Sequence, residues 1–146
     1  MKVFCDTNVL IAAFLQSHPH HEEARPVLER IKAGKDTGFV AAHSLAEAYA
    51  VLTRLPGESR VATTVAWQLI AENVVRDFSL IALTAREYSD TIATASVDGV
   101  EGGRTYDALI LKAAAKSGAE KIFTLNARDF QKLANEELRP KIAAPS

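Results

Sequence analysis

Val3-Phe4-Cys5-Asp6-Thr7-Asn8-Val9-Leu10-Ile11 is the stretch on which the fold turns. Val3 to Cys5 is a short apolar run that stops at an acid, and a second apolar run begins after Asn8. The first reads as a buried strand. Thr7 or Asn8 is then expected to cap a helix running through Ile11, Ala12, Ala13, Phe14 and Leu15. Asp6 would lie at the carboxyl end of a parallel strand, where open α/β sheets assemble their sites.

Outward from this stretch, apolar runs and amphipathic segments alternate. A helix with Ala24, Val27, Leu28 and Ile31 on one face is expected to carry Pro26 in its first turn and to end at Gly34. Gly38 to Ala42 reads as a second strand, and His43-Ser44 turns the chain into a helix that Leu55-Pro56-Gly57 breaks. Ser59 to Val75 reads as one amphipathic helix. Ser79 to Leu83 is the third strand candidate, and Thr84 caps the helix through Tyr88, Ile92 and Ala95. Val97 to Gly103, with three glycines and two acids, is a loop before an Ala-rich helix from Thr105 to Ser117. Lys121 to Leu125 is a fourth strand, Asn126 to Phe130 a short helix, and Lys141-Ile142-Ala143 a candidate edge strand. Strands separated by helices make a parallel α/β sheet with helices on both faces.

At 146 residues the chain is expected to be one domain, 1–146. Its 48% hydrophobic and 24% charged residues are ordinary for a globular protein. Met1-Lys2 leads straight into the first strand, so no signal peptide is expected, and no apolar run suits a membrane span. The single Cys5 excludes an internal disulfide and fits a reducing cytoplasm; it reads as a small buried hydrophobe. A net charge of −1 argues against a generally basic nucleic-acid binder. It leaves room for an acidic site that reverses its local field by taking up a cation.

Four acids share the context of a strand end or the following helix start: Asp6, Glu47, Asp107 and Asp129. In a parallel sheet these places lie on one edge, so the four are expected to converge. Crowded carboxylates repel and rise in pKa, and a hard divalent cation such as Mg²⁺ or Mn²⁺ relieves that repulsion. Each acid also has an ordinary explanation. Asp6 would cap a helix, Glu47 would sit on a solvated face, and Asp107 and Asp129 would be first-turn acids that suit the helix dipole.

Asp6-Thr7-Asn8, Ser44-Leu45-Ala46-Glu47, Tyr106-Asp107-Ala108-Leu109-Ile110 and Thr124-Leu125-Asn126-Ala127-Arg128-Asp129-Phe130 resemble, in order and spacing, the motifs of PIN-domain ribonucleases. The resemblance spans essentially the whole chain and is strongest to the VapC toxins of type II toxin–antitoxin systems. It implies a PIN-like three-layer α/β/α sandwich with a central parallel sheet of four to five strands. It also implies a Mg²⁺- or Mn²⁺-dependent endoribonuclease acting on RNA, neutralised by a cognate antitoxin, and a homodimer. Carried over by position, Asp6, Glu47, Asp107 and Asp129 become the catalytic metal ligands. Asn126 competes with Asp129 for the fourth place, and Asn8 becomes a polar partner that holds Asp6.

On this expectation Asp6, Glu47 and Asp107 hold one ion, and Asp129 or Asn126 helps with water or a second ion. Arg104 is the first candidate to hold the RNA, with Arg54 and Arg128 behind it. His18, His20 and His21 read as a solvated loop rather than a metal site, and His43 and Ser44 as helix caps. Trp67 reads as core or interface, and the helices around Val51, Leu52, Val61, Val65 and Leu69 as the face for a second copy. A haloacid-dehalogenase-type phosphatase would want a second acid where Asn8 stands, and a receiver domain would want paired acids and a late Lys. A PIN nuclease of RNA processing or of DNA, outside a toxin–antitoxin pair, and a non-catalytic PIN-like scaffold remain as alternatives.

Overall fold

A computed structural model describes all residues, 1–146. The elements in chain order are β1 (Lys2–Cys5), α1 (Thr7–Phe14), α2 (His21–Lys32), β2 (Thr37–Ala41), α3 (His43–Arg54), α4 (Thr63–Ile70), β3 (Phe78–Ile81), α5 (Ala85–Val97), α6 (Arg104–Ser117), β4 (Lys121–Phe123), α7 (Ala127–Leu133) and β5 (Ile142–Ala143). Short 3₁₀ turns cover Gly57–Ser59 and Arg139–Lys141. All five strands are parallel, in the order β3-β2-β1-β4-β5. No helix is long and apolar enough to cross a membrane.

Side-chain alternation along β1 creates the layers. Val3 and Cys5 face a core shared with α1, α2, α3 and α4 through Leu10, Val27, Leu52 and Ile70. Phe4 faces the other core, filled by Ile110, Ala113 and Ala114 of α6 and Phe130 of α7. The strand order also locates the site. From β1 the chain builds outward through β2 to β3, then returns to place β4 on the opposite side of β1. The switch point therefore lies between β1 and β4, and ligand crevices of such sheets open outside the carboxyl ends there. Asp6 and Thr124 occupy those two ends.

Several boundaries differ from expectation for local reasons. Asp6 itself, rather than Thr7 or Asn8, caps α1. Pro26 lies inside α2, because the helix already starts at His21. The segment expected as one helix over 59–75 begins at Thr63 and widens into a π-helix at Ala71–Val75. There the Asn73 amide donates to the Leu69 carbonyl at 2.9 Å. β4 stops at Phe123 instead of Leu125, since Thr124 and Leu125 turn their polar groups to Asp6 and Asn8. Thr84 caps α5 with Glu87 in a reciprocal box, as its sequence suggests.

His21 is buried rather than solvated, with Nδ1 2.9 Å from the Ala12 carbonyl. Trp67 is 54% exposed and does not belong to the core. Cys5 is fully buried, and burial drives its thiol far above the usual range, so it is inert.

Gly38 on β2 is fixed by space. A Cβ there would stand 2.7 Å from the Phe78 ring and 2.8 Å from Ile31. Gly38→Ala should lower stability by about 1–3 kcal/mol in denaturant unfolding. Gly103→Ala, which meets nothing within 4 Å, should stay within about 0.5 kcal/mol of the parent.

Candidate active site

Asp6 follows the central strand in extended conformation, with φ −70° and ψ 156°. The residue is only 5% exposed. Oδ1 accepts from the Thr7 backbone N–H at 2.7 Å, and Oδ2 accepts from the Thr124 hydroxyl at 2.7 Å. Both bonds favour the ionised form. Burial opposes them and prevails, with Asp107 and Glu47 adding like charge, so the carboxyl is pushed up to about 6.

Asp107 lies in the first turn of α6 and is half-buried. Burial raises its pKa, the charges of Glu47 and Asp129 raise it further, and Arg104 works the other way. The four predicted acids thus reach one another's fields at one sheet edge: Asp6 senses Asp107 and Glu47, and Asp107 senses Glu47 and Asp129. They do not close into a coordination shell, because no three His, Cys, Asp or Glu side chains are grouped tightly enough to hold an ion. Glu47 points instead to His43, with Nε2 at 3.6 Å.

Three residues near the site depart from their expected roles. Asn8 does not hold Asp6; its Oδ1 accepts from the Leu125 N–H at 3.1 Å and ties α1 to the segment after β4. His43 and Ser44 do not cap α3, which has no side-chain cap. The Ser44 hydroxyl accepts from the Thr7 hydroxyl at 2.8 Å, out of water. The His43 ring stacks on Tyr106 with centroids 5.8 Å apart and 4° between planes. Tyr106 is 54% exposed, so this aromatic pair forms an open wall beside the acids.

Asn126 precedes α7 without a side-chain capping bond, and its N–H donates to Thr124 Oγ1 at 3.0 Å. Arg104 is exposed at the start of α6, one turn before Asp107. Arg54 and Arg128 are exposed, and neither forms an ion pair.

Thr124 is the site residue that sequence reading passed over. Its signal was there: a hydroxyl residue directly after a strand whose register pairs Phe123 with Cys5, hence level with Asp6. Tyr106 had a weaker one, as an aromatic flanking an acid in a helix's first turn. Chemically, the edge offers hard carboxylate oxygens, one group buried and none in an ion pair with a Lys or Arg. That donor set suits a divalent oxygen-seeking cation.

Comparison with known proteins fits this geometry. The PIN domain model matches residues 3–136. Ribonuclease VapC40 of Mycobacterium tuberculosis is 35% identical over 137 residues, covering 94% of each chain. Ribonuclease VapC27 of the same organism is 32% identical over 115 residues, 79% of this chain and 78% of its own. Among solved structures, M. tuberculosis VapC20, a sarcin–ricin loop cleaving toxin, aligns with TM-score 0.69 at 17% identity, covering 92% of this chain and 97% of that one. VapBC2 from Rickettsia felis, bound to a DNA fragment from its promoter, aligns with TM-score 0.68 at 18% identity over the whole of both chains. The solved structures share the fold, and the family model spans all four acidic positions: this chain belongs to the PIN domain family, and its relatives there are VapC ribonucleases.

Proposed function

We propose that residues 1–146 form one catalytic domain, a Mg²⁺- or Mn²⁺-dependent endoribonuclease that serves as the toxin of a type II toxin–antitoxin pair. The observation that carries this reading is a buried carboxylate, Asp6, left among like charges at the switch point of the sheet. The 35% identity to a ribonuclease over 94% of the chain supports RNA as the substrate. Structural neighbours that are toxin–antitoxin complexes support a cognate antitoxin as partner. The homodimer and a cytoplasmic site of action belong to the same proposal.

Asp6, Glu47, Asp107 and Asp129 would hold the cation. Asp129 is preferred to Asn126 for the fourth place, because its charge already bears on Asp107. When bound, a divalent cation neutralises phosphate charge and makes water more acidic. The residues of the chain do the rest. Thr124 and the Thr7 N–H fix the Asp6 carboxylate in place and favour its ionised form. Glu47 must turn from His43 to join the set, which frees the imidazole to meet the RNA. Arg104 offsets the phosphate charge at the mouth of the site. Tyr106 presents its exposed ring to a base beside the scissile bond. Water adds to phosphorus in line with the departing sugar oxygen, the bond from phosphorus to that oxygen breaks, and the proton the water gives up ends on the departing oxygen.

Titration calorimetry with Mn²⁺ should show binding to the parent chain and none to Asp6→Asn, with RNA cleavage lost in parallel. A folded parent that takes up no Mn²⁺ would favour the scaffold reading. Ionised Asp6 is the form that binds, so Mn²⁺ affinity should rise as pH increases through about 6 and level off above it. In chelator the sign for stability is the reverse. The folded pKa lies above the unfolded value, so stability should grow as pH falls from about 6 toward 4, by on the order of 2–3 kcal/mol. Thr124→Val removes a bond to the ionised form and should move the acid limb of the cleavage profile to higher pH, a shift that a simple packing defect would not produce.

A further inference from the structure

A cleft of about 560 Å³ opens on the outer side of α6, between α5 and the segment from α7 to Arg139. Its charged lining consists of Arg104, Lys112, Lys132 and Arg139 against Asp90 and Asp98. The cations outnumber the acids two to one in a chain whose net charge is −1. None of the four is in an ion pair. Asp90 already faces Arg86 at 3.8 Å, which reduces its claim on them. The floor is apolar and small, from Ala108, Leu111 and Ala115 of α6. No aromatic side chain lines the cleft.

Position links this cleft to the acidic edge. Arg104 lines it and is also the first residue of α6, on the same turn as Asp107. From Arg104 to Lys112 the helix descends about 12 Å, at 1.5 Å per residue. A polyanion lying against the acids is repelled along the edge and attracted into this path. Free cations over an apolar floor hold phosphates, and the lack of aromatic rings means that bases are not stacked there.

We propose that the cleft between α5, α6 and α7 is a phosphate track for the single-stranded RNA flanking the cut, with Arg104 at its mouth and Lys112, Lys132 and Arg139 along its length. The inference rests on the nuclease reading of the acidic edge. It assigns a sequence-independent grip to a region that, Arg104 apart, has no part in the chemistry. RNA that extends past the site is held better than RNA that covers the site alone.

The test uses the full chain and single-stranded RNAs of about 4 and about 20 nucleotides, with binding followed by fluorescence anisotropy in chelator across a salt series, and cleavage followed with Mn²⁺. The double variant Lys112→Gln/Lys132→Gln leaves the Arg139 Nε bond to the Gln131 carbonyl in place; a triple variant adds Arg139→Gln. In the double variant the long RNA should bind about tenfold more weakly at low salt, with a salt slope shallower by about 1.4, and equally so for different sequences. The triple variant should extend both effects. Binding and cleavage of the short RNA should stay at the parent level. Parent-like binding of the long RNA by a folded double variant overturns the track while leaving the nuclease reading intact, as does a loss confined to one sequence. Unchanged RNA binding with weakened capture of an acidic peptide overturns it in favour of a protein-docking cleft. A parent chain that binds long RNA with the expected slope but cleaves neither length overturns the nuclease reading instead, and one that does neither overturns both.

Discussion

Asp6 is a carboxylate kept out of water at the end of the central strand, and much of the site can be derived from that placement. An ionised acid in such a position needs hydrogen-bond donors, which Thr7 and Thr124 provide. Those donors satisfy the two oxygens without removing the charge, while Asp107 and Glu47 press on it from the same edge. The fold therefore holds a carboxylate that leans toward protonation and keeps its neighbours close enough to share whatever neutralises it. A protein selected only for stability would replace Asp6 with a neutral cap such as Asn or Ser. Keeping the acid is a sacrifice of stability at a functional site.

The sheet order explains why the donors are where they are. β1 lies between β2 and β4, so its end is flanked by the ends of both neighbours. Thr7 and Ser44 pair on the β2 side, and Thr124 approaches from the β4 side. Asn8 joins the two sides by accepting from Leu125. α6 contributes in a different way. One face fills the core with Ile110, Ala113 and Ala114, its first turn sets Asp107 at the edge, and its outer face floors the basic cleft.

Periodicity and punctuation made much of this legible in the sequence. Val3-Phe4-Cys5 could only be buried on both faces, and Thr84 with Glu87 spelled out a helix start. The four acids followed because parallel topology places strand ends and helix starts together. What escaped depended on side chains meeting across the chain. Thr124 looks like an ordinary strand residue until the register sets it level with Asp6. Asn8 was assigned to its neighbour in sequence, whereas its partner is an amide far along the chain. Ala71–Val75 has the apolar spacing of an α-helix, and a widened turn leaves no mark in that spacing. The cleft cations look like solvated surface residues one by one, since they come from two separate segments.

The Thr124–Asp6 bond joins residues 118 positions apart. Contacts of that span close late, after the intervening chain has collapsed. During synthesis, Asp6 leaves the ribosome long before Thr124 exists, and for that interval the first strand has neither β4 beside it nor the hydroxyl that orients its acid. Incomplete translation products ending before β4 hold three of the four acids and still lack the site's support. For a protein proposed to cut RNA, that order of assembly withholds the oriented Asp6 until the chain is nearly complete.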